Sequence, residues 1–483
     1  MAQAQQLTAQ RAAVSAPAIA RPAAGRGIAA AVLGLAALSF LLPSAPTYDP
    51  WAWIIWGREV LHLDLSTTEG PSWKPLPVLA TTVFAAAGDV APDLWLFTAR
   101  AGALAGVVFA FRVARRLGGT PAGIVAAVAY AAAPWSVRNA ALGNSEGLLV
   151  ALSLAAVDRH AAGARRAAFG LGVGAALLRP EAWPLLGLYG AWLAWRDPGA
   201  RLLVAAGLAA IPICWFLPEL WGSGDALRAM HRARDPRADS PAFAEDPVGE
   251  VLRQFWEMLT VPLWVAGGAL LAAGLAARAP TRAELRLAVA LVAAAIVWVA
   301  EVALMTSDGF SGNSRYLVLP AALACVLIGA GVGWALRAAG VRGALGAAVA
   351  TAGVALAAAP WATDLDRVMS NVQHAARVTD QLSSVLERAG GSQALLACGE
   401  PYTGAFQVPL LAWHLGVHTS RVRLDPRAPA VVLRTRNRPR GPAVPTLAHV
   451  GDAATLRTLA AGGGWRVVVR CRAGATPAAE AAR

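Results

Sequence analysis

Asp49, in TYDPWAW, and Glu146, in GNSEGLL, are carboxylates set beside long apolar runs. Lys74 in SWKPLPV, Arg100 in LFTARAGAL, Arg179 in LLRPEAW and Arg315 in NSRYLVL are cations in the same setting, and Glu181 follows Arg179 by two residues. Charge at membrane depth is costly, so such residues are usually paired or functional. Together these residue types can do one kind of chemistry. A carboxylate takes the proton from an acceptor hydroxyl, while fixed cations stabilise the charge that grows on a departing phosphate. The set therefore suits transfer of a group, such as a sugar, away from a polyprenyl phosphate.

Lys74 is the only lysine among the 42 lysine and arginine residues. Arginine offers phosphate a planar fork, whereas lysine is a compact charge on a flexible stem. A tight turn at Trp73-Lys74-Pro75 would let one charge reach one phosphate oxygen. The other reading is a lysine that has survived in a surface loop of an arginine-biased chain, and the residues alone leave both open. The nearby Trp51, Trp53 and Trp56 call for nothing more than an interfacial amphipathic helix.

The elements that must carry these residues are membrane helices. Of 483 residues, 57% are hydrophobic and 15% charged, against about 25% charged in soluble domains. GIAAAVLGLAALSFLL (27–42), LWLFTARAGALAGVVFAF (94–111), VPLWVAGGALLAAGLAA (261–277) and RYLVLPAALACVLIGAGVGWAL (315–336) are runs of the length and polarity of spanning helices. The net charge of +13 does not point to nucleic acid, because the arginines gather in short turns between apolar runs, as on cytoplasmic loops. Keeping all those turns on one side requires residues 167–195 to form two short helices meeting at Leu178-Arg179-Pro180-Glu181, where the proline disfavours helix for its predecessor.

The expected architecture is an all-α polytopic domain of about eleven spans with a small C-terminal α/β domain outside the membrane. Residues 1–26 read as a cytoplasmic tail before an uncleaved first span, rather than as a signal peptide cut near PSA. Residues 27–362 are the membrane domain, with outward loops at 45–93 and 219–260, and residues 363–483 the external domain. Within the latter, 366–390 has helical spacing, whereas ALLACG (394–399), AVVLRT (430–435) and WRVVVRC (465–471) read as strands. Cys398 and Cys471 are either a disulfide of an oxidising compartment or two buried thiols. No Cys/His cluster has zinc spacing. On this topology the acids and cations above lie near the outer leaflet, with Arg100 about two turns deeper.

The ordered landmarks resemble the GT-C superfamily of membrane glycosyltransferases, near its bacterial protein-mannosyltransferase and aminoarabinose-transferase branch, over residues 27–340. TYDPWAW resembles the acidic motif of the first external loop, and WKPLPV the Lys-Pro-Pro-Leu stretch that follows. LFTARAGALAGVVFAFRVARRLGG is similar to the arginine-containing second span. GNSEGLLVALSLAA resembles the segment bearing a second acid, and LLRPEAWPLL and NSRYLVLP resemble the Arg-Pro-Glu turn and the late Arg-Tyr helix start. The resemblance implies inverting displacement of a sugar from a polyprenyl-phosphate donor to a cell-envelope glycan, lipid or protein, at the outer face of the bacterial plasma membrane. It implies Asp49 as general base or acceptor-positioning acid, Glu146 as second acid, and Lys74, Arg100 and Arg315 at the donor phosphate. Arg179, Glu181, Tyr316 and Trp73 would shape the pocket. No metal is required by this branch, although Asp49 and Glu146 could share a divalent cation. Two departures are plain: Lys-Pro-Leu-Pro replaces Lys-Pro-Pro-Leu, and Glu146 stands where aspartate is usual. A flippase for a lipid-linked sugar would use the same cations without a base, but the chain shows no inverted repeat of the transporter kind.

Overall fold

The first helix of the computed structural model, which describes residues 22–447, 450 and 456–472, is α1 (Pro22–Leu38). Most of the tail expected at 1–26 lies outside the described residues. Two shorter helices follow, α2 (Tyr48–Leu61) and α3 (Pro75–Ala85). Helix α3 opens on Pro75, whose missing N–H is one the first turn leaves unbonded in any case.

Helix α4 (Ala91–Ala132) is broken at Gly118 and Gly119. Gly119 has φ +79°, a left-handed conformation that a residue without Cβ adopts freely. Beyond it the chain runs back on itself, since a Cβ at Gly123 would lie 2.7 Å from Phe111 and one at Gly106 would lie 2.8 Å from the Tyr130 hydroxyl. The basic turn at Arg112, Arg115 and Arg116 thus precedes a reversal. Asp158 gathers Arg112, Arg116 and Arg159 there, tying α4 to α6 (Glu146–Ala161), which follows the short α5 (Pro134–Ala141).

The expected break near residue 179 is present. Helix α7 (Arg165–Ala176) and helix α8 (Trp183–Arg196) flank a 3-10 turn at Pro180–Ala182. Next come α9 (Arg201–Ser223), the short helices α10 (Arg228–Ala233) and α11 (Pro247–Glu257), then α12 (Val261–Ala276) and α13 (Arg282–Ser307). Helix α14 (Val318–Ala338) is central and buried along most of its length. It is followed by α15 (Gly343–Ala358) and the long amphipathic α16 (Trp361–Arg388). Helices α9 and α13 turn Leu202, Ile213, Val289 and Ile296 outward, the surface a lipid-facing helix needs.

Among the described residues, four helical segments are long and apolar enough to cross a membrane, or up to seven if each sharply bent pair is one span. The chain is thus a multi-pass membrane protein. The longest of the four is the segment that doubles back at Gly119, and α7 and α8 are shorter than a full crossing, so length and composition alone give fewer spans than the charge pattern does.

The C-terminal part is a small α/β arrangement: α17 (Gly391–Cys398), β1 (Glu400–Tyr402), α18 (Val408–Leu415), β2 (Ala430–Arg436), β3 (Ala443–Val444), β4 (Arg457–Gly462) and β5 (Trp465–Arg470). The sheet order is β1-β2-β5-β4, with β3 beside β2. Strand β1 runs parallel to β2, and β2 pairs antiparallel with β5, Val432 opposite Val468. The valine-rich stretches expected as strands are strands. ALLACG is not: it forms most of α17, because alanine and leucine are strong helix formers and the run has no β-branched residue. Cys398 and Cys471 are joined in a disulfide, while Cys214 and Cys325 are free.

This sheet domain sits on α2. Arg58 donates to the Val417 carbonyl at 3.1 Å. The His418 ring lies between Glu59, 2.7 Å from Nδ1, and Asp64, 3.2 Å from Nε2. Trp51 packs against Trp413 with ring centres 6.2 Å apart.

Candidate active site

Asp49 lies in the first turn of α2, where a carboxylate is favoured by the helix N-terminus. Its Oδ2 accepts from Arg315 Nη2 at 2.7 Å, and Arg315 Nη1 donates to Asn144 Oδ1 at 3.1 Å. The Thr47 hydroxyl donates to the same Asn144 oxygen at 3.2 Å. One amide therefore fixes both the guanidinium and the chain just before Asp49. Burial alone would raise the Asp49 carboxyl, but Arg315, and after it Lys74, hold it below the usual aspartate range.

The second acid is close behind. Glu146 begins α6 and is fully buried. Helices α6 and α4 approach closely beside it, since a Cβ at Gly147 would come within 2.8 Å of Ala103. Glu146 Oε1 is bonded to Arg179 Nη2 and lies 3.9 Å from Lys74 Nζ. Lys74 also donates to the Ser145 hydroxyl at 3.4 Å and lies 5.0 Å from the centre of the Trp53 ring. It is the residue just before the first turn of α3, so the Pro75 start of that helix aims it inward. Lys74 is 7% exposed, and burial, then the neighbouring Arg179 charge, push its ammonium down to about 7.

Arg179 completes the cluster: it lies 3.9 Å from Glu181 and 4.4 Å above the Tyr316 ring. Tyr316 is held by a contact of its hydroxyl with Ser311 at 2.8 Å and by the Trp298 indole, which donates to its carbonyl at 2.8 Å. Trp73 is buried beside Lys74 and donates to the Cys214 carbonyl at 3.0 Å. The structure thus brings together Asp49, Glu146, Lys74, Arg179, Glu181, Arg315 and Tyr316, with Trp73 behind them. Arg100 is not with them. Its guanidinium donates to Ser39 at 3.0 Å and covers the Phe40 ring at 4.9 Å, after α1, because depth along a helix does not specify which way a side chain faces.

Sequence reasoning passed over four residues here. Asn144 and Ser145 stand directly before Glu146, so the GNSE motif itself held them. Trp53 was one of three tryptophans with nothing to separate it from its neighbours. Glu301 is an acid inside the apolar run IVWVAEVAL of α13, which alone was a signal. It lies three residues after Trp298 and so shares its helix face toward Tyr316. Each of Asp49 and Glu146 is paired with cations, and among the described residues no group of three or more His, Cys, Asp or Glu side chains is placed to hold a metal ion.

The helices that carry this cluster and the small sheet domain packed on α2 together make up a fold that solved structures share. The chain is similar to the crystal structure of ArnT, an aminoarabinose transferase, from Cupriavidus metallidurans bound to undecaprenyl phosphate. The TM-score is 0.56 at 15% identity, covering 95% of this chain and 100% of that one. The apo structure of the same protein gives a TM-score of 0.52 at 15% identity, covering 92% and 98% of the two chains. At that identity the likeness is one of fold. No protein-family model and no curated protein matches the sequence.

Proposed function

We propose that this protein is a membrane glycosyltransferase that moves a hexosyl or pentosyl group from a polyprenyl-phosphate donor to a cell-envelope glycan, lipid or protein. The reaction would take place at the outer face of a bacterial plasma membrane, with the N-terminus cytoplasmic and the sheet domain outside. The observation that carries this reading is the convergence of two carboxylates, Asp49 and Glu146, with three cations, Lys74, Arg179 and Arg315, from four separate parts of the chain. The GT-C fold around them and the undecaprenyl phosphate held by its structural neighbour support it.

In the proposed step an acceptor hydroxyl oxygen attacks the anomeric carbon from the side opposite the phosphate. The bond from that carbon to the phosphate oxygen breaks, its electron pair stays on the phosphate, and the configuration inverts. Asp49 takes the hydroxyl proton. Lys74 and Arg315 stabilise the charge on the leaving phosphate, acting in a buried site where each charge counts for more than in water. A phosphate reaching Arg315 competes with Asp49 for the guanidinium, so donor binding itself would free the carboxylate to act as base. Arg179 and Glu181 shape the wall beside Glu146, with Tyr316 beneath the guanidinium and Trp73 behind Lys74. Arg100, held at Ser39 and Phe40, lies outside this cluster.

The test is transfer from labelled polyprenyl-phosphate mannose, arabinose, galactose and glucose in membranes, with Asp49→Asn alongside. Label in a new product with the wild type alone supports the reading and names the sugar. Labelled lipid crossing the bilayer without transfer would make the protein a flippase instead.

A further inference from the structure

Away from the acid–cation cluster, a cavity of about 380 Å³ lies where the sheet domain meets α2 and the turn before α4. It is lined by Arg58, His62, Asp89, Trp413, His414 and Gly416, and its volume is at the lower end of the range for small-molecule sites. Arg58 lies over the Trp413 ring at 5.0 Å, and Trp51 backs that ring from within the core. The His414 ring is tethered by Ser383 at 3.2 Å. His62 is exposed, with its Nδ1 2.8 Å from the Arg58 carbonyl. A smaller cavity, about 160 Å³, continues past Arg58 and His62 to His418.

From these walls we infer a secondary acceptor subsite for an acidic saccharide, resting on the transferase reading above. The chemistry is specific to that class. A guanidinium fork matches a carboxylate or phosphate, and the exposed His62 imidazole stands beside it, with Asp89 the acid of this cavity and Glu59 and Asp64 lining the smaller one. The half-buried Trp413, with Arg58 over its ring and Trp51 behind it, offers its ring edge to a sugar, and Asp89 accepts from hydroxyls. A lipid tail would meet too many charges here, and a neutral glycan would leave Arg58 without its anion.

The position fits a remote anchor. Arg58 is nine residues after Asp49 on α2, about 13 Å along the axis at 1.5 Å per residue. Nine residues is two and a half turns, so Asp49 faces the cluster while Arg58 faces the sheet domain. The subsite therefore holds the acceptor away from its reacting hydroxyl, and its contribution falls on acceptor binding rather than on the chemical step.

The test is titration calorimetry on the full chain in zwitterionic nanodiscs. The probes are a glucuronate-containing oligosaccharide, glucose 6-phosphate and a neutral oligosaccharide of matching length. At least one anionic probe should bind, about tenfold or more tighter than the neutral one, and whichever binds identifies the anion as carboxylate or phosphate. Arg58→Gln should weaken that binding about tenfold, equivalent to about 1.4 kcal/mol. His62→Ala, at an exposed position, should weaken it several-fold without altering thermal unfolding, and Asp49→Asn should bind like the wild type. Failure of both anionic probes, equal binding of the neutral one, or binding unaffected in both Arg58→Gln and His62→Ala would overturn the subsite. Transfer without probe binding would remove the subsite and leave the transferase, and probe binding without transfer would do the reverse.

Discussion

Arg315 and Asp49, 266 residues apart in the chain, are joined at 2.7 Å. The pair links the first turn of α2 to the start of the central helix α14, and it keeps the proposed base ionised. Asp49→Asn preserves the shape and one acceptor oxygen while removing the proton acceptor. Sugar transfer should fall about 100- to 10,000-fold, the range for losing a general base, with donor affinity little changed. Steady-state transfer and labelled-donor binding, measured side by side, check this; transfer retained near the wild-type rate would place the base at another carboxylate.

Lys74 gives the reaction a pH signature. Burial and Arg179 bring its ammonium down to about 7, so it is charged below that pH and loses its charge as pH rises through it. Because the free enzyme's ionisations appear in kcat/KM, kcat/KM for the donor should fall on the alkaline side of about 7. Lys74→Arg keeps its charge throughout, since guanidinium does not deprotonate in this range, and should flatten that limb even if it lowers the plateau. A wild-type profile with no alkaline fall near 7 would remove Lys74 from phosphate binding.

Much of this site could be read from residue type and depth. Asp49, Lys74, Glu146, Arg179 and Arg315 were identifiable because ionisable groups beside apolar runs need partners, and the helix break at residues 178–181 followed from arginine placement. Arg100 satisfied the same rule and lies elsewhere, paired with Ser39, because azimuth around α4 is set by its packing, chiefly on α14 and α6, rather than by spacing. Asn144 was hidden for a different reason. A neutral amide costs little to place in a polar turn, so the GNSE motif contains Asn144 without singling it out as the group that holds Arg315. Residues 394–399 show the limit for short elements, where an apolar run of strand length folded as helix.

The disulfide between Cys398 and Cys471 closes a separation of 73 residues around nearly the whole sheet domain. On the chain-entropy account a loop of that size is worth about 4 kcal/mol. Cys398→Ser with Cys471→Ser, or reduction of the wild type, should therefore lower the thermal midpoint of the sheet domain clearly. Amide hydrogen exchange along β5, where Trp465 is buried, offers a local reporter. An unchanged midpoint after confirmed reduction would show that packing of α16 on the sheet suffices.

The ion pairing of Glu146 can be separated from the catalytic role proposed for it. It is buried against Arg179 and Lys74, so removing it leaves two cations facing each other in a dry site. Breaking such a pair from one side costs about 3–5 kcal/mol, whereas replacing both partners with apolar groups of similar size is often neutral or stabilising. Glu146→Ala should therefore lower thermal stability in detergent by that order, and Glu146→Leu with Arg179→Met should recover much of it. Neither variant should regain sugar transfer, because the second acid is absent in both. Recovery of stability with recovery of transfer would make Glu146 a purely structural counter-ion, and the proposed chemistry would then rest on Asp49 alone.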